Sequence, residues 1–230
     1  MNFGWLKRPS AFWLKTPIFS DDASTLVHLY WKNGGLVDSK GNAWTQVGTV
    51  PYNAGSGKIP PSAGPFSASN YYKTTAVNDV FDTLTSGFSA YFVFIEGGAV
   101  TQRFISAGNG VNGWCTYGSG TGTVATLQWP ATVANTANVT LAGVNIVACG
   151  RTAADLTHGS IKLNLGNTVT AAITNSQDTT DSTFIGVNVS SGQPMNGKVI
   201  EILVETSDYS DATATNLANT VKAKLGITTW

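Results

Sequence analysis

The sequence predicts an all-β fold, an antiparallel two-sheet sandwich with a short C-terminal helix and an extended N-terminal arm. Three observations carry this expectation. Segments of strand length either alternate apolar and polar residues or run apolar throughout. Clusters of Gly, Asn and Ser separate them at intervals of about 8 to 12 residues, the spacing of sandwich turns. Only 11% of the residues are charged, against about 25% in ordinary globular chains, so the polar surface is mostly Ser, Thr, Asn, Gln and Gly. A chain of 230 residues fits one such sandwich, and 42% hydrophobic residues suffice for a sizeable core.

In chain order, the arm comes first. Residues 1–20 (MNFGWLKRPSAFWLKTPIFS) hold the rings of Phe3, Trp5, Phe12, Trp13 and Phe19 and the cations Lys7, Arg8 and Lys15, with no acid. Pro9 and Pro17 interrupt any helix. A segment this short has no core of its own, so its rings must bury against the sandwich or against a partner. We therefore divide the chain into an anchoring arm, residues 1–22, and a sandwich, residues 23–230.

Strands are expected at residues 26–30, 87–95, 102–107, 113–118, 124–129, 143–150, 159–165, 167–173, 182–187 and 198–206. The clearest is 87–95, where Phe88, Ala90, Phe92 and Phe94 share one face and Tyr91 and Val93 the other. The Gly-rich turn SGTGT at 119–123 joins two strands into a hairpin. Residues 51–65 (PYNAGSGKIPPSAGP) read as a long loop, and Tyr71-Tyr72 as structural. The helix is last. Ser210 or Asp211 caps it, Ala214, Leu217, Ala218, Val221 and Leu225 recur at helical spacing, Lys222 and Lys224 occupy the final turn, and Gly226 ends it. There is no internal repeat and no linker between domains.

Composition excludes several function classes. Net charge is zero and no Lys/Arg stripe exists to neutralise phosphates, which argues against nucleic acid as a partner. No apolar run reaches the length of a membrane helix or a secretory signal. The expectation is synthesis in a cytoplasm without a signal peptide. Cys115 and Cys149 form no disulfide framework and no metal spacing, and read as small apolar strand residues. Sequons at Asn138 and Asn188 carry little weight in a chain this rich in Asn, Ser and Thr.

The order of elements resembles the concanavalin A-like jelly-roll sandwiches of the laminin-G-like kind, over residues 24–227. Leu36-Val-Asp-Ser-Lys-Gly-Asn42 looks like the D-x-x-G-N turn after the first strand, and residues 84–95 (LTSGFSAYFVFI) look like the aromatic-rich strand that follows. Residues 143–149 stand where the family places its central core strand. Ile161-Lys-Leu-Asn-Leu-Gly166 resembles its L-Y-V-N-G hairpin, and Phe184-Ile-Gly186 its short I-G strand. Gly197-Lys-Val-Ile-Glu-Ile-Leu-Val204 and the helix after it resemble the closing segment. The resemblance implies a scaffold used for glycan binding, glycan cleavage and phage virion structure, so function must be read from sites.

Sandwich glucanases similar to this fold carry E-x-D-x-E on one strand. Here Glu201 and Glu205 keep the spacing, but Leu203 replaces the Asp between them, and the segment matches the closing strand. The two glutamates are expected to face solvent while Ile200, Ile202 and Val204 face the core, and no catalytic residue is assigned. His28 reads as a core or interface histidine and His158 as a turn residue; neither has a nucleophile motif nearby. Asp178, Asp181, Asp208 and Asp211 fit loop and cap roles as well as calcium ligation, so no metal and no cofactor is assigned. Trp44, Trp114, Tyr117 and Trp129 are candidates for stacking on sugars, with Trp114, Tyr117 and Trp129 around the hairpin as the glycan site.

The arm is the leading candidate, because a few buried aromatics and an arginine dominate many interfaces. The sequence reading is thus a non-enzymatic virion protein: a phage capsid decoration, head-fibre or tail-associated subunit. Phe3, Trp5, Lys7, Arg8, Phe12, Trp13, Lys15 and Phe19 would hold it to a neighbouring virion protein or to copies of itself. The alternative is a carbohydrate-binding module for cell-surface glycans.

Overall fold

The computed structural model describes residues 17–74, 86–98, 102–106, 115–119, 124–129, 132–138, 143–173, 182–187 and 192–230. Their strands, in order, are β1 (Thr25–Lys32), β2 (Gly35–Asp38), β3 (Trp44–Val47), β4 (Tyr52–Asn53), β5 (Ser62–Ala63), β6 (Tyr71–Thr74), β7 (Phe88–Ile95) and β8 (Gln102–Ser106). β9 (Cys115–Ser119), β10 (Val124–Trp129), β11 (Thr132–Asn138), β12 (Val144–Thr152), β13 (Asp155–Leu163), β14 (Val169–Ala172), β15 (Phe184–Ile185) and β16 (Lys198–Glu205) follow, and α1 (Asp211–Leu225) ends the series. Among the described residues no helix is long and apolar enough to cross a membrane.

The strands form two antiparallel sheets, as expected of a sandwich. The first runs β14-β13-β12-β7-β16-β1-β2, with β5 also on β16 and β4 on β5. The second runs β11-β10-β9-β8-β15-β6-β3. The main core lies between them. Strand alternation sends Val27, Leu29 and Trp31 of β1, Phe88, Phe92 and Phe94 of β7, and Ile202 and Val204 of β16 inward. Tyr72, Phe104 and Ile105 meet them from the second sheet. The Phe94 and Phe104 rings approach to 4.2 Å between centroids.

The other face of the first sheet is also covered, which alternation alone does not announce. Tyr91, Val93, Ile146, Ala148, Ile200 and Leu203 form a second apolar cluster beneath Ala214, Ala218, Val221 and Leu225 of α1. Ile18, Phe19 and Tyr209 complete that cluster. The first sheet is therefore the middle of three layers, which explains why seven of the eight residues of β7 are buried. α1 begins and ends where its sequence signals stand. The Ser210 hydroxyl accepts from the Thr213 N–H, and Gly226 closes the helix at φ 67°.

Four expectations need correction. Residues 51–65 contain a small hairpin, β4 with β5, docked on β16 through the Val199–Ala63 pair. His158 lies within β13, not in a turn, because that strand begins four residues earlier than its apolar part. A bulge between Val199 and Glu201 turns Ile200 to the helix side, so only Ile202 and Val204 face the main core. Glu201 and Glu205 do not face solvent; they are 2% and 8% exposed, because the helix layer and residues 17–22 cover that side.

Candidate functional site

The buried glutamates define the first polar constellation. Glu201 receives the backbone N–H of Ile18 at Oε2 and of Phe19 at Oε1, each at 2.7 Å. His28, diagonal to Glu201 on β1 and two residues from its direct partner Tyr30, places Nε2 2.8 Å from Glu201 Oε1 and Nδ1 against the Asp21 carboxylate. A neutral imidazole carries one N–H, so two carboxylate partners require the doubly protonated cation. Burial disfavours that charge, but the hydrogen bonds and charges of Glu201 and Asp21 outweigh it and hold the His28 pKa above its ordinary value. Lys224, on the last turn of α1, donates to the carbonyls of Pro17 and Ile18. Every polar group here fastens residues 17–21 to the sheet. Glu205 differs: Ser89 and Ser207 hydroxyls reach its Oε2 at 3.2 and 3.4 Å, and burial pushes its pKa up.

This constellation decides part of the arm. Phe19, expected at a partner surface, is 4% exposed and packs on its own sheet with its ring 6.3 Å from that of Tyr91. Ile18 is buried beside it. Phe3, Trp5, Lys7, Arg8, Phe12, Trp13 and Lys15 lie outside the described residues, as do Trp114, Asp178, Asp181 and Asn188. Tyr117 and Trp129 are placed on the paired strands β9 and β10, which form the expected hairpin. Trp44 is turned from sugar stacking to structure: its indole N–H donates to Asp38 at 2.9 Å and its ring packs on the main core. Asp208 accepts the Ala153 N–H, and Asp211 accepts from Lys162 at 2.9 Å and from Thr168. Exposed His158 pairs with Asp155 at 2.8 Å. Cys149 is buried in the main core.

Two open clefts adjoin the helix-side layer. One, of about 380 Å³, is lined by Asp21, His28, Tyr30, Ser39 and Lys224, and its charged groups are those already engaged in holding residues 17–21. The other, of about 510 Å³, opens between the β4–β5 hairpin and the adjacent ends of β7 and β16. Tyr52, Asn53, Ser56, Ser62, Ile95 and Lys198 line it. Lys198 pairs directly with Ile95, so both project from the helix side of the sheet. Ser62 shares that side, because its neighbour Ala63 is in the main core. Asn53 donates to the Gly64 carbonyl at 3.1 Å, which leaves its side-chain oxygen as an acceptor. The hydroxyls of Tyr52, Ser56 and Ser62 and the Lys198 ammonium take no hydrogen-bond partner among the described residues. Gly55 shapes the rim. It has φ +81°, and a Cβ there would stand 2.4 Å from the Ile59 carbonyl oxygen.

No family model matches this sequence, and no curated protein matches it. Solved structures do. The binding domain of botulinum neurotoxin DC in complex with SialylT superposes with a TM-score of 0.60 at 13% identity, covering 86% of this chain and 52% of that one. The same binding domain in complex with rat synaptotagmin II gives 0.60 at 11% identity, with the same coverage. Domain 4 of AbnA, an extracellular GH43 arabinanase from Geobacillus stearothermophilus in complex with arabinotriose, gives 0.62 at 16% identity, covering 86% of this chain and all of that one. The fold is a β-sandwich. At these identities the likeness is one of fold. The chain spans about half the length of the neurotoxin domains and the whole of domain 4.

The larger cleft escaped the sequence reading. Apart from Ile95 at the end of β7, its residues fall in the turn-rich stretch 51–65 and at the first position of β16, where neither periodicity nor a motif marks them. The one available signal was a tyrosine, an asparagine, serines and a lysine clustered in a Pro/Gly-rich segment.

Proposed function

We propose that this chain is a carbohydrate-binding module that seats a short oligosaccharide in the 510 Å³ cleft. The observation that carries the reading is the cleft itself. Sugar recognition needs a concave surface with hydroxyl-matching polar groups beside an apolar or aromatic wall. Here Ile59 and Ile95 supply the wall, and Asn53, Ser56 and Lys198 supply polar side-chain atoms with no internal engagement beyond the single Asn53 bond. The likeness to a complete domain crystallised with arabinotriose supports the same class of ligand. The reading is non-enzymatic: Glu201 is committed to His28 and two backbone amides, and Glu205 to two serine hydroxyls.

Calorimetric titration with arabinotriose and with a broad glycan panel tests it. Binding weakened about tenfold by Asn53→Ala, with the thermal melt intact, is the expected result. Loss confined to Trp114→Ala or Trp129→Ala moves the site to the β9–β10 hairpin. Silence across the panel removes the reading.

A second reading concerns the setting. The rings and cations of residues 1–16 and the sparsely charged surface favour a virion subunit of phage type, anchored by that arm and displaying the sandwich outward. Both readings hold together if the displayed module binds cell-surface sugar. Deleting residues 1–16 is expected to abolish incorporation into particles; unchanged incorporation ends the anchoring role.

A further inference from the structure

The lining of the larger cleft contains one charge, and it is positive. We propose that the cleft selects saccharides bearing a carboxylate, with the Lys198 ammonium as its counter-ion and the Ser56 hydroxyl as an additional donor. The inference rests on the saccharide-binding reading above and specifies its ligand class.

The chemistry of the wall carries it. A neutral sugar hydroxyl both donates and accepts, so a site for neutral sugars does well with carboxylate or amide acceptors. This cleft has no carboxylate among its lining residues. Its acceptor of fixed character is the Asn53 side-chain oxygen; the Asn53 amide gives one N–H to the Gly64 carbonyl and keeps the other. Against that one acceptor stand an ammonium, which only donates, the second Asn53 N–H and the Ser56 hydroxyl, which is able to donate. A surface weighted toward donors fits a group that only accepts, and an ionised carboxylate is that group.

The surroundings do not cancel the charge. Glu96 follows Ile95 in the chain, but alternation turns it to the opposite side of β7, where it is 1% exposed and accepts the Gly98 N–H at 3.2 Å. Lys58, on the turn closed by the reciprocal Ser56–Ile59 bonds, is not part of the lining. Its side chain lies over Gly226 at the end of α1, where helix carbonyls favour a cation. The smaller cleft contrasts in kind. There the positive ring of His28 and the Lys224 ammonium each face oxygens of their own fold, so no cation is left for a ligand.

Titration of the full chain with trigalacturonate and with arabinotriose, at low and high salt, decides the matter. The expected result is an affinity for trigalacturonate about five- to tenfold above that for arabinotriose at low salt, shrinking as salt is raised. Lys198→Gln should bring the ratio of the two affinities toward one, and Lys198→Arg should keep most of it. A ratio near one in the wild type, or one unchanged by Lys198→Gln, overturns the proposal while leaving saccharide binding in place. If neither sugar binds and the wider panel is also silent, the saccharide reading falls and takes this inference with it. A melting temperature of Lys198→Gln equal to that of the wild type separates lost selectivity from lost fold.

Discussion

Two glutamates four residues apart on one strand have opposite energetic characters. Glu201 is matched by an imidazolium and two amides, whereas Glu205 is buried with hydroxyls alone and near the charge of Asp22. Removing one member of a buried pair costs about 3 to 5 kcal/mol, so Glu201→Ala should destabilise by an amount of that order in chemical denaturation. Glu205→Gln should be neutral or stabilising at pH 7, because it removes a charge that burial disfavours and keeps an acceptor for the serines. His28 makes the pH dependence specific. Its folded pKa is raised above 6.5, so the folded chain holds the proton more tightly. Its contribution is complete below pH 6.5 and is lost as pH rises through the folded value. Melting temperatures followed upward from pH 6.5 should fall in the wild type and fall less steeply in His28→Gln.

At the scale of elements, α1 is the part with the clearest local determinants. Ser210→Ala removes the acceptor for the Thr213 N–H and should cost about 1 kcal/mol in the same denaturation assay. The helix, β7 and β10 were legible because each carries its own period or its own punctuation. Phe88, Ala90, Phe92 and Phe94 alternate over a full strand, and Ser210 and Gly226 bracket a 3.6-residue repeat. β4 and β5 are two residues each, too short to show any period; β5 exists because β16 offers it hydrogen bonds, and β4 because β5 does. The candidate cleft inherits that illegibility, since it is built where β4 and β5 meet β16. Glu201 misled for a related reason. Its polar side chain marks a solvent face when the strand is read alone, and only residues 17–19, some 180 positions away in the chain, convert that face into an interior.

For the whole molecule, the boundary between arm and sandwich matters most. Ile18 and Phe19 belong to the folded unit, and burying each such side chain is worth about 1.5 to 3 kcal/mol. A chain begun at Pro17 should melt like the full-length protein. One begun at Asp21 loses both side chains and both amide bonds to Glu201, and should melt on the order of 10 °C lower. Equal melting of the two truncations would show that residues 17–20 contribute nothing. The pairing of β1 with β16 has a different kind of consequence, for how the molecule comes into being. Thr25–Lys32 leaves a ribosome long before Lys198–Glu205, yet they are neighbours, and β16 also separates β1 from β7. During synthesis the phenylalanines of β7 therefore wait without one flanking strand until β16 has been made. A nascent chain in that condition is a natural client for chaperones, and its final closure is a slow step set by topology.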